Sequence, residues 1–314
     1  MYDKKHKFKN SQIFVFISGI LLLFIALSVL LTSCSKKVKE EDREGTDSAE
    51  IKIQRVRTAN SSGILKNPFN VLLLGSDSRN ESIEGRSDSI MIIHVNPQEH
   101  SAFIISFPRD SKVSIPGHGT NKINAAMSYG GPSLTAKTIE NLTGIKIDYI
   151  ATTTFLGFAR MINNLGGVHI TLEESIKDPW AGANLKAGSQ ILTGEQALAF
   201  SRARHIPNGD FARAGHQQDV VAAVFEQERA KQQPQDILKL INIFMNDCET
   251  NLTYPEIFRL ISIAFNIDPQ KVNKKVLEGS TGTVGGASYV ILDQKDLIDT
   301  FRGIEYSDEE GLNE

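Results

Sequence analysis

Aspartates and arginines recur together in five short clusters of this chain. They are Gly75-Ser76-Asp77-Ser78-Arg79, Arg86-Ser87-Asp88, Phe107-Pro108-Arg109-Asp110, Arg202-Ala203-Arg204 and Asp210-Phe211-Ala212-Arg213. A guanidinium offers a planar fork of donors that fits phosphate oxygens. Carboxylates beside phosphate-binding arginines suit Mg²⁺, a hard cation that takes few protein oxygens and keeps its other positions for phosphate and water. Brought together, the clusters would make one site for a pyrophosphate. Taken singly, each reads as solvated surface: Asp77 and Asp88 as loop carboxylates, Arg202 or Arg204 as half of a surface ion pair. Their places in the chain argue for the joint reading. Three clusters fall at strand ends or in the loops beside them, and two at the end of a helix and just beyond it.

The elements that must position these residues alternate. Residues 70–74, 90–95 and 102–107 are apolar runs of the kind that buried strands show, with Asn96-Pro97 as a turn between the last two. Residues 125–142 read as a helix with Gly144 beyond its end, 147–153 as a strand, 155–165 as a helix stopped by Gly166-Gly167, and 168–172 as a strand. Thr193, with Gln196 three residues later, is a capping-box start for a helix that ends near Arg204, ahead of Pro207-Asn208-Gly209. Helices are expected over 215–230, 237–246, 254–267 and 294–301, and late strands over 275–278 and 289–292. This is an α/β pattern, a central sheet covered by helices.

In such sheets strand ends present the ligand-binding residues. Asp77 is expected just past the first strand and Asp88 just before the second, so a short loop returns both to one edge. Arg109 leaves the third strand in the same way. Arg202 and Arg204 would diverge by about 200° on an ideal helix, so both face one ligand only if the helix ends there. Pro207 allows that.

The N-terminus has its own logic. Lys4, Lys5, Lys7 and Lys9 precede an uncharged run over residues 13–31. As a helix that run would be about 28 Å long, enough to cross a bilayer. The basic flank stays in the cytoplasm, which places the rest of the chain outside. Leu31-Thr32-Ser33-Cys34 also has the form of a lipobox, in which a lipidated cysteine would be the anchor. The apolar run is longer than that of a cleaved signal, which favours an uncleaved span. The expected organisation is a cytoplasmic basic segment (1–12), a transmembrane helix or lipoprotein signal (13–33), an extracytoplasmic linker (34–66), a catalytic domain (67–304) and an acidic tail (305–314). Cys34 and Cys248 are the only cysteines, so no disulfide framework exists within the domain. The net charge of −3 argues against non-specific nucleic-acid binding. There is no P-loop, no G-x-S-x-G elbow and no metal spacing among the histidines.

The ordered clusters resemble the LytR–CpsA–Psr (LCP) family. That family carries G-x-D-x-R, R-S-D-[ST], [FIS]-P-R-D, K-I-N-A-A followed by G-G-P, and R-x-R followed by D-x-x-R-x-x-x-Q. The chain matches these at Gly75 to Arg79, Arg86 to Ser89, Phe107 to Asp110, Lys122 to Ala126, Gly130-Gly131-Pro132, Arg202 to Arg204 and Asp210 to Gln217. It departs from the pattern at His216, where the family often has arginine, and at Met127, where an aromatic is common. The resemblance implies a central mixed β-sheet flanked by α-helices behind a single N-terminal anchor. It implies that Asp77 and Asp88 hold Mg²⁺, and that Arg79, Arg86, Arg109, Arg202, Arg204 and Arg213 surround a pyrophosphate. Gln217 would add a polar contact, with Lys122 and Asp210 close by. Asp210, Asp110 or a metal-linked carboxylate would act as base.

The implied activity is a phosphotransferase that moves a secondary glycopolymer, such as a teichoic acid or capsule, from a polyprenyl-pyrophosphate carrier to a peptidoglycan acceptor in a Gram-positive envelope. The alternatives are a non-catalytic binder or regulator and a pyrophosphatase acting on the same lipid. A lipid pocket would draw on a subset of Phe155, Leu156, Phe158, Met161, Ile162, Ile237, Leu240, Ile241, Phe244, Phe258, Ile261 and Phe265, most of which would otherwise be ordinary core.

Overall fold

The computed structural model describes residues 67–78, 82–231 and 234–310. The apolar run at 13–31, Cys34, the linker, Arg79 and residues 311–314 lie outside the described residues. Among the described residues, no helix is long and apolar enough to cross a membrane.

The core is a six-stranded mixed sheet in the order β11-β6-β1-β2-β3-β12. Its strands are β1 (Phe69–Ser76), β2 (Ser87–Asn96), β3 (Ser101–Ser106), β6 (Tyr149–Thr154), β11 (Glu249–Thr250) and β12 (Val272–Val276). The first three make an antiparallel meander, β6 runs parallel to β1, and β12 runs parallel to β3. This is the α/β arrangement expected from the apolar runs.

Because side chains alternate along a strand, β1 to β3 present two apolar faces. Leu72, Leu74, Ile90, Ile92 and Ile105 face a closed core with α1 (Ala125–Thr143) and α7 (Gln294–Glu310). Phe69, Met91, Ile93, Val95 and Ile104 face α4 (Gly209–Lys231), α5 (Pro234–Asp247) and α6 (Tyr254–Asn266). A third cluster joins α2 (Phe155–Leu165) and α3 (Gly194–Arg202) to two small sheets. These are β7 (Val168–Leu172) with β10 (Gly188–Leu192), and β8 (Ile176–Asp178) with β9 (Ala183–Leu185). The remaining pairs are β4 (Lys112–Ile115) with β5 (Gly119–Lys122), and β13 (Gly279–Val284) with β14 (Ala287–Leu292).

Several boundaries differ from the sequence reading, each for a local reason. Asp88 lies inside β2 rather than before it, because a register shift at Gly75/Ser76 extends the pairing to Ser87. Helix α4 starts at Gly209, earlier than residue 215, which puts Asp210 and Arg213 on its first turns. Asn208 and Gly209 both take positive φ (65° and 49°), so the turn from α3 is tight. Helix α1 is interrupted at Gly130 and Gly131, where Gly131 has φ 65° and ψ −158° ahead of Pro132. Helix α7 continues past residue 301 to Glu310. The hairpins β4–β5 and β8–β9, and strands β10 and β13, escape the sequence reading because short polar strands carry little periodic signal.

Two features fix the site-bearing helices. Thr193 and Gln196 form the expected capping box on α3. Gln218 of α4 is buried, and its Nε2 donates to Ile104 O, Ser106 Oγ and Lys275 O at 3.2, 2.9 and 2.7 Å. One amide thus ties α4 to the ends of β3 and β12.

Candidate active site

The strand directions bring the clusters together. Ser76 at the end of β1 pairs with Ser87 at the start of β2 and with Thr154 at the end of β6, and Ser106 at the end of β3 pairs with Met91. Asp77, Asp88, Arg109 and Phe155 therefore share one edge of the sheet. Asp77 closes the hairpin: its N–H donates to Arg86 O at 3.0 Å, and its Oδ1 accepts from Arg86 N–H at 2.9 Å. Gly85 has φ +122°, and a Cβ there would stand 2.5 Å from Asp77 Oδ1, so the approach requires glycine. The Arg86 side chain itself is exposed.

Arg109 follows the Phe107-Pro108 corner, which is seated by stacking of Phe107 on Phe301 at 6.0 Å. Its Nη1 lies 2.5 Å from Asp88 Oδ1, and its Nε is 4.0 Å from Asp110 Oδ2. Lys122 neutralises Asp110 at 3.0 Å and lies over the Tyr289 ring. Burial disfavours the charge on Arg109, but Asp88, Asp210 and Asp110 outweigh it and hold the guanidinium above its ordinary range.

Arg213 is in the opposite position. It is only 5% exposed, with Nη1 3.1 Å from Asp210 Oδ1. Burial, followed by repulsion from Arg109, brings it below the ordinary arginine range; Asp210 and Asp88 compensate in part, and Arg204 adds to the repulsion. The Nε donors of Arg109 and Arg213 are both buried without a hydrogen-bond acceptor among the described residues. Two buried guanidinium donors without acceptors leave hydrogen-bonding capacity that suits an anion.

Helix α3 ends at Arg202 and Ala203 is extended, so the divergence of an unbroken helix is avoided. Arg202 lies over the Phe155 ring at 4.8 Å. Gln217 Nε2 donates to Ser201 O at 3.1 Å, which braces the same helix end.

Asp178 is the residue that sequence reasoning missed. It is fully buried, and Oδ2 accepts from Arg204 N–H at 2.9 Å and His205 N–H at 3.0 Å. Oδ1 accepts from Trp180 N–H at 3.0 Å, and His205 Nδ1 is 3.0 Å from both oxygens. Burial would raise its pKa, but the N–H groups of His205 and Arg204, the His205 ring and the Ala181 N–H hold it well below the usual carboxylate range. An Asp-Pro pair at 178–179 signals a turn, and that is the only trace it leaves in the sequence.

Asp88, Arg109, Arg202, Arg204, Arg213 and Gln217 line one end of a cavity of about 670 Å³. Asp77, Arg86, Lys122 and Asp210 stand outside that lining. From the polar end the cavity continues between the sheet and the helices, past Leu73, Met91 and Ile93, to Phe69 and Val95 at the far ends of β1 and β2. The eight residues of β1 span roughly 25 Å, so the cavity is a long apolar slot. Phe155, Phe158, Met161, Ile162, Leu240, Phe244, Ile261 and Phe265 line it. Ile237 and Ile241 belong to the packed core, while Leu156 and Phe258 are largely exposed.

The LytR_cpsA_psr family model matches residues 27–303. The chain belongs to this family. A teichoic acid transferase of Enterococcus faecalis, "Polyisoprenyl-teichoic acid--peptidoglycan teichoic acid transferase TagU", is 28% identical over 92% of this chain and 95% of its own length. The structure "TagT bound to LI-WTA" superposes with a TM-score of 0.67 at 28% identity, covering 81% of this chain and 95% of that one. A second TagT structure, a "LytR-CPS2A-psr family protein" with bound octaprenyl pyrophosphate lipid, has a TM-score of 0.62 at 28% identity over 81% of this chain and 94% of that one. The mixed sheet flanked by helices is therefore the LCP fold. The two departures from the family motifs are both accommodated by packing. His216 stacks on Phe200 at 4.2 Å with burial holding its imidazole below the ordinary range, and Met127 is buried against the closed face of the sheet.

Proposed function

We propose that this LCP protein is a membrane-anchored phosphotransferase that transfers a secondary cell-wall glycopolymer from a polyprenyl-pyrophosphate carrier to peptidoglycan, outside the cytoplasm. The observation that carries the reading is the continuity of the arginine cluster with the apolar slot. One cavity offers charge-assisted donors at one end and some 25 Å of apolar wall behind them. A pyrophosphate with a long isoprenoid tail has that shape and polarity. The names of the teichoic acid transferase relatives, and the lipid bound in TagT, support the same substrate class.

In this reading Arg109, Arg202, Arg204 and Arg213 hold the phosphates in line for attack. An acceptor sugar hydroxyl forms a new O–P bond on the glycan-side phosphorus, the bond from that phosphorus to the bridging oxygen breaks, and polyprenyl phosphate leaves. Orientation and charge neutralisation supply most of the catalysis. Asp88, Asp110 and Asp210 each meet one cation through Oδ1; Asp210, beside Arg213 on the first turn of α4, is the carboxylate proposed to take the hydroxyl proton.

Asp77 and Asp88 fit a Mg²⁺ ion, because both are hard oxygen donors at the end of one hairpin and engage the protein through Oδ1. When bound, Mg²⁺ would supply further neutralisation of the phosphate oxygens. Changing either aspartate to alanine is expected to remove Mg²⁺-dependent transfer while leaving the fold intact. Unaltered dependence in both variants would remove the metal from this site.

The deciding measurement is transfer of a labelled glycan from a polyprenyl-pyrophosphate donor to peptidoglycan fragments by the purified chain with Mg²⁺. A glycan–peptidoglycan phosphodiester is expected. Release of glycan phosphate to water alone would make the protein a pyrophosphatase, and tight donor binding without turnover would make it a binding or regulatory protein.

The anchor is tested separately. With an uncleaved span at 13–31, Cys34→Ala should stay in the membrane fraction at unaltered mass apart from the substitution. Loss of a lipid-sized mass increment, or release of the domain, would establish lipidation at Cys34 instead.

A further inference from the structure

We infer that Trp180 is a stacking platform for the first sugar ring of the donor glycan, an assignment that rests on the phosphotransferase reading above. Trp180 is 82% exposed, yet it lines the polar end of the cavity beside Asp178, Arg204 and His205. A lone exposed aromatic is ordinary by itself, and what singles out Trp180 is its place at the polar end of the cavity beside an arginine of the phosphate cluster. Its position is not that of a loose loop residue. The β8–β9 hairpin carries it, and its N–H is held by the buried Asp178 carboxylate. That carboxylate also holds the His205 ring and the backbone of Arg204. The two rings face each other at 6.1 Å with 37° between their planes. One buried anchor thus fixes an aromatic pair against an arginine of the phosphate cluster.

Direction decides the occupant. The isoprenoid runs from the arginines into the apolar slot, so whatever is attached to the other phosphate must leave toward solvent, past Arg204, Trp180 and His205. A pyranose offers an apolar C–H face to an indole and hydroxyls to flanking polar groups. A bilayer contact would call for exposed apolar neighbours around the ring. Here the lining beside the ring is Asp178, Arg204 and His205 with the small buried Ala181, whereas exposed Leu238, Tyr254 and Phe258 belong to α5 and α6.

Trp180 is the only tryptophan of the chain, so intrinsic fluorescence reports on it directly. The full-length chain in detergent micelles is titrated with a polyprenyl pyrophosphate bearing no sugar and with the same lipid bearing one glucose. Only the sugar-bearing probe is expected to shield Trp180 from acrylamide. With affinity read from the rise in melting temperature each probe gives, Trp180→Ala should weaken the sugar-bearing probe by about three- to tenfold, leave the sugar-free probe unaltered, and be largely rescued by Trp180→Phe. Equal loss for both probes, or for neither, overturns the assignment while the phosphotransferase reading stands. Quenching of Trp180 by brominated lipids in nanodiscs would give the ring to the bilayer and overturn it too. Failure of the wild type to bind either probe removes the phosphotransferase reading and the inference with it.

Discussion

Arg213→Ala is expected to slow glycan transfer by about one to two decades while leaving the ligand-free protein close to its original stability. The loss follows from one charge-assisted contact to the pyrophosphate, worth about 1.5–3 kcal/mol, at tenfold per 1.4 kcal/mol. The small effect on stability follows from the geometry of the free site. Arg213 is buried, repelled by Arg109 and Arg204, and only partly offset by Asp210 and Asp88. Removing it relieves repulsion as well as removing an ion pair. The measurement is a transfer rate for wild type, Arg213→Ala and Arg213→Lys, with melting curves taken with and without polyprenyl pyrophosphate. The lysine variant keeps the charge but loses the fork and should rescue poorly. The rise in melting temperature on adding the lipid should shrink in the alanine variant. A double change with Arg109 should cost less than the sum, since both groups act on one ligand. Full activity in Arg213→Ala would remove it from the phosphate site.

Asp178→Asn is expected to destabilise the chain by about 3 kcal/mol, since it replaces a buried carboxylate accepting several N–H bonds with an amide that can accept through one oxygen only. That corresponds to a fall of roughly 6–12 °C in melting temperature for a domain of this size. Transfer should fall with it, because the backbone of Arg204 loses its anchor. The pH dependence gives a separate check. The folded carboxyl titrates below its unfolded value, so its contribution is full above about pH 4 and is lost as the pH drops toward the folded pKa. The stability gap between wild type and Asp178→Asn should therefore narrow in acid. A gap that stays constant from pH 6 to pH 2 would contradict the role assigned to this carboxylate.

What was legible in the sequence follows from local physics. The apolar runs at 70–74, 90–95 and 102–107 became β1, β2 and β3, because a strand buried on both faces has no other composition available. Thr193 and Gln196 announced the start of α3, because a capping box needs only neighbours in the chain. The motif order pointed to Asp88, Arg109, Arg202, Arg204, Arg213 and Gln217, all of which line the cavity. Other features depended on tertiary structure. Arg86 and Lys122 carry the same charge as Arg109 and Arg213, yet one is exposed and the other is taken up by Asp110. Pairing is decided by which strand ends meet, and that is not encoded in spacing. Met91 and Ile93 read like Ile90 and Ile92, but alternation across the pleat sends the first pair to the slot and the second to the closed core. Asp178 lies 26 residues from Arg204 and anchors it through backbone N–H groups that every residue possesses. Chain composition therefore determined which chemistry was present, and only the folded sheet edge, by fixing which groups lose water together, decided which residues could perform it.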